Sequence, residues 1–124
     1  MIHISESVNQ MIPNVVENML KNNSLREVIK IAAKDKNFPI QDLQAVVLEK
    51  GEERDIYLLA KLCEGVDLDA LERRMIEISS LTGLMHFAED IYGSDTLKIF
   101  RVVIDKGTKD DIWKFAKMVW GNPF

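Results

Sequence analysis

The chain has 124 residues, 47% hydrophobic and 29% charged, with a formal net charge of −4. That length predicts one domain with a core of its own, and the composition excludes a disordered, fibrous or mucin-like chain. No apolar run reaches the roughly 18–20 residues of a membrane helix. Met1-Ile2-His3-Ile4-Ser5-Glu6 lacks the basic flank and apolar stretch of a secretory signal, and the single cysteine, Cys63, excludes an intramolecular disulfide and predicts a reducing, cytoplasmic setting.

Helical signals begin near the N-terminus. Pro13 falls close to a helix start, where its missing N–H costs little. Ser24-Leu25-Arg26-Glu27 reads as a capping box, and the helix it opens carries Val28, Ile31 and Ala32 on one face before Asp35 ends the stripe. Pro39 marks the next start. Residues 40–50 follow with Leu43, Val46, Val47 and Lys50 at helical spacing, and Gly51 is expected to close the helix in the left-handed conformation that Gly and Asn tolerate. Residues 53–64 place Ile56, Leu59, Ala60 and Cys63 at i, i+3, i+4, i+7. Glu52 ahead of them is a weaker cap whose charge still suits the helix dipole. Asp67 and Asp95 are N-cap candidates for two further helices. Ser80 and Thr108 open the helices after those, with stripes Leu84, Phe87, Ala88, Ile91 and Ile112, Phe115, Ala116, Val119. Nothing alternates with period two long enough for a sheet.

These elements repeat. Between 46–65 and 102–121, a shift of 56, nine of twenty positions are identical, against roughly one by chance at average residue usage. Half that shift aligns Ala32, Ala60, Ala88 and Ala116, then Asn37, Gly65, Gly93 and Gly121, then Leu43, Leu71 and Ile99, and finally Asn23, Gly51, Ser79 and Gly107. Four units therefore tile 12–39, 40–67, 68–95 and 96–123 within a single domain spanning 1–124, each unit two short helices. One unit cannot bury its stripes alone, so stacking must supply the core. The expected fold is all-α, a compact right-handed α-solenoid of helical hairpins.

The run Leu59-Ala60-Lys61-Leu62-Cys63-Glu64-Gly65-Val66-Asp67-Leu68-Asp69-Ala70-Leu71-Glu72, echoed by Phe87-Ala88-Glu89-Asp90-Ile91-Tyr92-Gly93-Ser94-Asp95 and Phe115-Ala116-Lys117-Met118-Val119-Trp120-Gly121, resembles the short α-helical repeats of many poorly characterised bacterial and phage proteins. HEAT-like and tetratricopeptide-like solenoids share its general logic with longer units. The resemblance covers residues 40–123. It implies an interaction scaffold and carries no catalytic residue across.

Chemistry is sparse. His86 has only Asp90 at the i+4 spacing of a helical metal pair, too few ligands for a closed site; His3 stands alone near the terminus. Cys63 occupies an apolar-stripe position and reads as a buried, inert thiol. No phosphate loop, H-E-x-x-H or nucleophile elbow is present. The acid pairs Glu52-Glu53-Asp55 and Glu89-Asp90 read as a helix start and a solvated face. No catalytic residue, metal or cofactor is expected.

The surface is more informative. Ile29, Tyr57, Met85 and Trp113 are equivalent, as are Lys36, Glu64, Tyr92 and Trp120; Trp113 and Trp120 lie seven apart on one helix face, with Phe124 beyond. Such aromatics either fill gaps between units or anchor a partner. Residues 1–95 carry 17 acidic and 10 basic side chains, residues 96–124 three and six. Tyr57, Tyr92, Trp113, Trp120, Lys109 and Lys117 are the candidate partner-binding residues. The leading reading is a non-enzymatic protein–protein interaction module. Its sharper form, suggested by the phage-like repeats, small size and acidic character, is a phage or mobile-element inhibitor of a host nucleic-acid enzyme. The alternative is a self-assembling scaffold using the aromatic C-terminal end, hence a homo-oligomer. The modest basic footprint argues against nucleic acid as a direct ligand, and no membrane partner is expected.

Overall fold

The computed structural model describes residues 15–121; His3, Pro13 and Phe124 lie outside them, as do residues 12–14 and 122–123 of the first and last units. Among the described residues every regular element is an α-helix, and none is long and apolar enough to cross a membrane. Residues 15–20 are helical. They are followed by α1 (Leu25–Lys34), α2 (Ile40–Lys50), α3 (Glu53–Leu62), α4 (Leu68–Ile78), α5 (Leu81–Asp90), α6 (Thr96–Lys106) and α7 (Lys109–Trp120). The starts of α2, α4 and α6, and those of α1, α3, α5 and α7, recur every 28 residues.

Packing follows from that spacing. α1, α3, α5 and α7 touch one another in succession, while α2, α4 and α6 each lie against the two helices that flank them in sequence. A helix of ten or eleven residues is only about 16 Å long, so its stripe is buried by neighbours. Val47, Ile56, Leu59, Leu71, Leu84, Phe87, Ile99, Val103 and Phe115 are all fully enclosed in one continuous core, each worth roughly 1.5–3 kcal/mol relative to exposure. Ala32, Ala88 and Ala116 are buried where the second helices meet. In α1 the buried set is Val28, Ile29 and Ala32, and Ile31, expected on the stripe, is 41% exposed.

The caps form largely as their sequences dictate. Ser24 and Thr108 accept from the backbone N–H groups of Glu27 and Asp111, whose carboxylates accept in return. Asp55 accepts from the Glu52 N–H at 2.9 Å. Asp67 and Asp95 cap α4 and α6. The glycines that end α2 and α6 depart from expectation: Gly51 (φ −73) and Gly107 (φ −97) are not left-handed. Close approach makes the position tight, because an added Cβ would stand 2.5 Å from the Val47 carbonyl oxygen and 2.7 Å from that of Val103. Left-handed backbone is found instead after α3, α5 and α7, at Gly65, Gly93 and Gly121. After α1, Asp35 turns outward and accepts from Asn37 N–H at 2.9 Å.

Two junctions each bury one polar side chain. Gln44 accepts through Oε1 from the Asp67 N–H at 2.6 Å, and Glu72 through Oε2 from the Asp95 N–H at 2.8 Å. The same register is filled by Val16 in the first unit and Phe100 in the last, both apolar. The residue 23 positions further on is Pro39 in one case and Pro123 in the other, and neither has an N–H to offer. A polar group is buried only where a donor awaits it, as the cost of an unsatisfied one requires.

Glu72 is 2% exposed and its Oε1 has no hydrogen-bond partner among the described residues. Burial pushes its carboxyl up from the usual glutamate range, against the Asp95 N–H and Lys98, which favour the ion; Asp95 and Asp69 add to the upward shift. The folded state therefore holds this proton more tightly than the unfolded chain. The stabilisation is complete below the ordinary glutamate pKa and is lost as pH rises through the raised folded value. Glu72→Gln, which copies Gln44, is expected to exceed the parent in stability at neutral pH by about 1 kcal/mol. The gap closes as pH falls toward about 4. Urea unfolding across that range checks it; a less stable Gln variant at neutral pH contradicts the assignment.

Candidate functional site

Four of the six residues singled out in the sequence share one face of α7. Lys109, Trp113 and Lys117 follow at four-residue intervals and Trp120 lies seven beyond Trp113. Both lysines are exposed, Trp113 is 54% exposed and Trp120 42%. Trp120 is partly structural. It stands edge-on to Phe100 and Phe115 at ring centroid distances of 5.0 and 5.6 Å, and those two rings stack at 5.2 Å; such edge-to-face pairs add about 0.5–1.5 kcal/mol beyond area burial. Exposed Leu97 and Ile104 of α6 extend the apolar surface of the same hairpin.

The register explains this exposure. Ile29 and Met85, the counterparts of Trp113, are buried, and Tyr57 is half-buried. Gln41 and Gln44, the counterparts of Leu97 and Phe100, bond to the end of their own unit, Gln41 through Nε2 to the Gly65 carbonyl at 2.8 Å and Gln44 to the Asp67 N–H. The register that Ile29 and Met85 bury is therefore exposed on α7.

The other two residues lie apart from α7. Tyr92 is fully exposed in the turn after α5. Tyr57, on α3, donates its hydroxyl to Asp90 Oδ2 of α5 at 2.5 Å and accepts from Lys61 Nζ at 3.2 Å, with that ammonium 5.4 Å from the ring centroid. Burial and the Asp90 carboxylate push the Tyr57 hydroxyl above the usual tyrosine range. The hydroxyl is thus a neutral donor that holds α3 to α5.

Tyr57 and Asp90 line a groove of about 260 Å³ with Glu53, Arg54, Met75, Gly83 and His86. His86 and Asp90, weighed above as a metal pair, contribute here to a mixed polar wall; no group of three or more His, Cys, Asp or Glu among the described residues is placed to hold a metal ion. A larger cleft of about 480 Å³ lies between the ends of α1 and α3, lined by Ala32, Phe38, Ile40, Leu62 and Cys63 together with charged Lys34, Asp35, Lys36 and Glu64. It opens where Asp35 stands in place of the apolar Cys63, Ile91 and Val119 of the later units. Cys63 is buried, its Sγ 3.7 Å from the Ile29 carbonyl oxygen, and burial pushes its thiol up, away from nucleophilic chemistry.

Glu53 and Gly83 were not legible as a pair. Ser80 caps α5 through the Gly83 N–H at 3.0 Å, but glycine at N3 has no side chain to complete the box. Glu53 reaches across from α3 instead and accepts from Ser80 N–H at 2.9 Å. A Cβ on Gly83 would stand 2.6 Å from Glu53 Oε2. The signal was the lone glycine in a register held by Glu27, Asp55 and Asp111.

Charge divides by unit. Segments 12–39 and 96–123 hold five basic against three acidic and six against three, whereas 40–67 and 68–95 hold three against seven and two against six. The ends are basic and the centre is acidic, a pattern hidden by the coarser division at residue 95.

Compared with known proteins, the chain matches no family model, no curated protein and no solved structure.

The capping arrangement can be tested by a double-mutant cycle. Glu53→Ala and Gly83→Asp are each expected to destabilise by about 1 kcal/mol, the first by orphaning the Ser80 N–H and the second by crowding Glu53. Combined, they restore a local box and recover most of the loss in denaturant unfolding; additive losses contradict the arrangement.

Proposed function

We propose that this protein is a non-enzymatic protein–protein interaction module built as a right-handed α-solenoid of four 28-residue hairpins. The recurrence of helix boundaries and the succession of second helices support the scaffold. The observation that carries the function is the α7 face, where Lys109, Trp113, Lys117 and Trp120 expose cations and apolar rings in alternation. Large aromatics flanked by cations are effective anchors, since each desolvates much area at little entropic cost. The inhibitor form of this reading, a phage or mobile-element protein acting on a host nucleic-acid enzyme, draws its support from the acidic central units, which suit a basic target surface.

Self-association is favoured by one observation, the open apolar surface of Leu97, Ile104 and Trp113. It is opposed by charge, because both end segments are basic and would repel end to end. A partner of another kind is therefore the stronger reading.

Trp113→Ala is the chosen probe, since Trp113 is the more exposed of the two rings. Affinity purification with the full chain is expected to yield one stoichiometric partner that Trp113→Ala combined with Lys117→Glu releases, with the helical circular dichroism spectrum kept. Light scattering of both proteins over a concentration series separates the alternatives. A mass that rises in the parent and not in the variant favours self-assembly, and a partner retained by the variant removes α7 from the interface.

A further inference from the structure

We propose that the groove between α3 and α5 is a socket for one cationic side chain, a guanidinium or ammonium, presented by a protein partner. This rests on the interaction-module reading and adds the partner's chemistry. The three junctions between successive second helices use the same registers. At α1–α3 these hold Leu25, Ile29, Leu58 and Leu62, and at α5–α7 Leu81, Met85, Lys114 and Met118. At α3–α5 they hold Glu53, Tyr57, His86 and Asp90, and Gly83 replaces an aspartate. The α3–α5 junction is polar at all four registers, against one at α5–α7 and none at α1–α3, and it also lacks a side chain at Gly83; there the 260 Å³ groove opens. Departures from an otherwise consistent packing rule mark functional positions.

The size and the donor set choose the occupant. Small-molecule pockets start at about 300 Å³, so this groove suits a side chain better than a cofactor. Met75 supplies an apolar wall for an alkyl stem, and the Tyr57 ring, already facing the Lys61 ammonium, is of the kind that attracts cations. Glu53 uses Oε2 and Asp90 uses Oδ2 in the bonds described above, while Glu53 Oε1 and Asp90 Oδ1 accept no hydrogen bond among the described residues. Two held carboxylates with spare oxygens match the fork of an arginine or the three donors of a lysine. Arg54 in the lining and Lys61 against Tyr57 are opposing charges, but segments 40–67 and 68–95 together hold thirteen acidic against five basic side chains, so the field around the groove draws cations.

The test uses the full-length ¹⁵N-labelled protein titrated with an acetylated Gly-Arg-Gly-Arg-Gly amide and with its Glu counterpart. The arginine peptide is expected to shift the amides of Tyr57, Gly83, His86 and Asp90, and the Glu peptide to leave them in place. Asp90→Asn and Tyr57→Phe are each expected to weaken the arginine peptide about fivefold or more, and the equally charge-reducing Glu49→Gln on exposed α2 less than about twofold. Equal effects of Asp90→Asn and Glu49→Gln would mean diffuse attraction and overturn the socket. Groove shifts with the Glu peptide, or none with the arginine peptide, overturn it too. A chain that keeps its partner through Trp113 while its groove ignores the arginine peptide loses the socket and retains the module.

Discussion

Short helices cannot hide their own apolar stripes, and this constraint governs the molecule. Each helix has about three turns, enough for three or four buried residues and no more. Leu59 or Phe87 is enclosed only because other helices lie against it. Stability is therefore held in contacts between helices. Most of the helices also satisfy terminal N–H groups through side-chain caps, because little else in so short an element can offset their loss. The density of caps along this chain, from Ser24 to Thr108, is the direct result.

The parts that were legible in the sequence depend on near neighbours. Residues 40–50 were read as a helix from Leu43, Val46 and Val47, and α2 occupies those residues; Ser24 and Thr108 were read as caps from the acid three residues on. What escaped depends on how the helices pack against one another. The glycine at 51 is explained by the Val47 carbonyl and the Asp55 Cβ crowding it from two helices, which no conformational preference reveals. The Gln44–Asp67 and Glu72–Asp95 bonds span 23 residues, and Tyr57–Asp90 spans 33. Among the surface residues, the sequence left open whether Trp113 and Tyr92 fill gaps between units or stand exposed; both are exposed, as the neighbouring helices dictate. Tyr57 was not legible as a bonded one, because its half-burial is set by α5.

The α3–α5 junction shows how stability and surface chemistry compete. At α1–α3 apolar side chains fill the registers. At α3–α5 a tyrosine hydroxyl, a lysine and two carboxylates take their place, and α5 depends on α3 for the second half of its N-cap. That dependence couples folding to docking, since the first turn of α5 is complete only once Glu53 is in position. Helix nucleation is the costly step in a short helix, so the central pair should form as one cooperative event.

The buried Gln44 and Glu72 also set where the chain tolerates a cut. Duplicated segments look interchangeable, like beads on a string, and here each bead carries its own lock: Gln44 and Asp67 close one segment and Glu72 and Asp95 the next. A break at a segment boundary keeps every acceptor with its donor. A crossover inside a segment would set Phe100 against a main-chain donor with nothing to receive it, or strand the Glu72 carboxylate before a proline. Recombination is thus permitted between segments and punished within them, even where every helix survives intact.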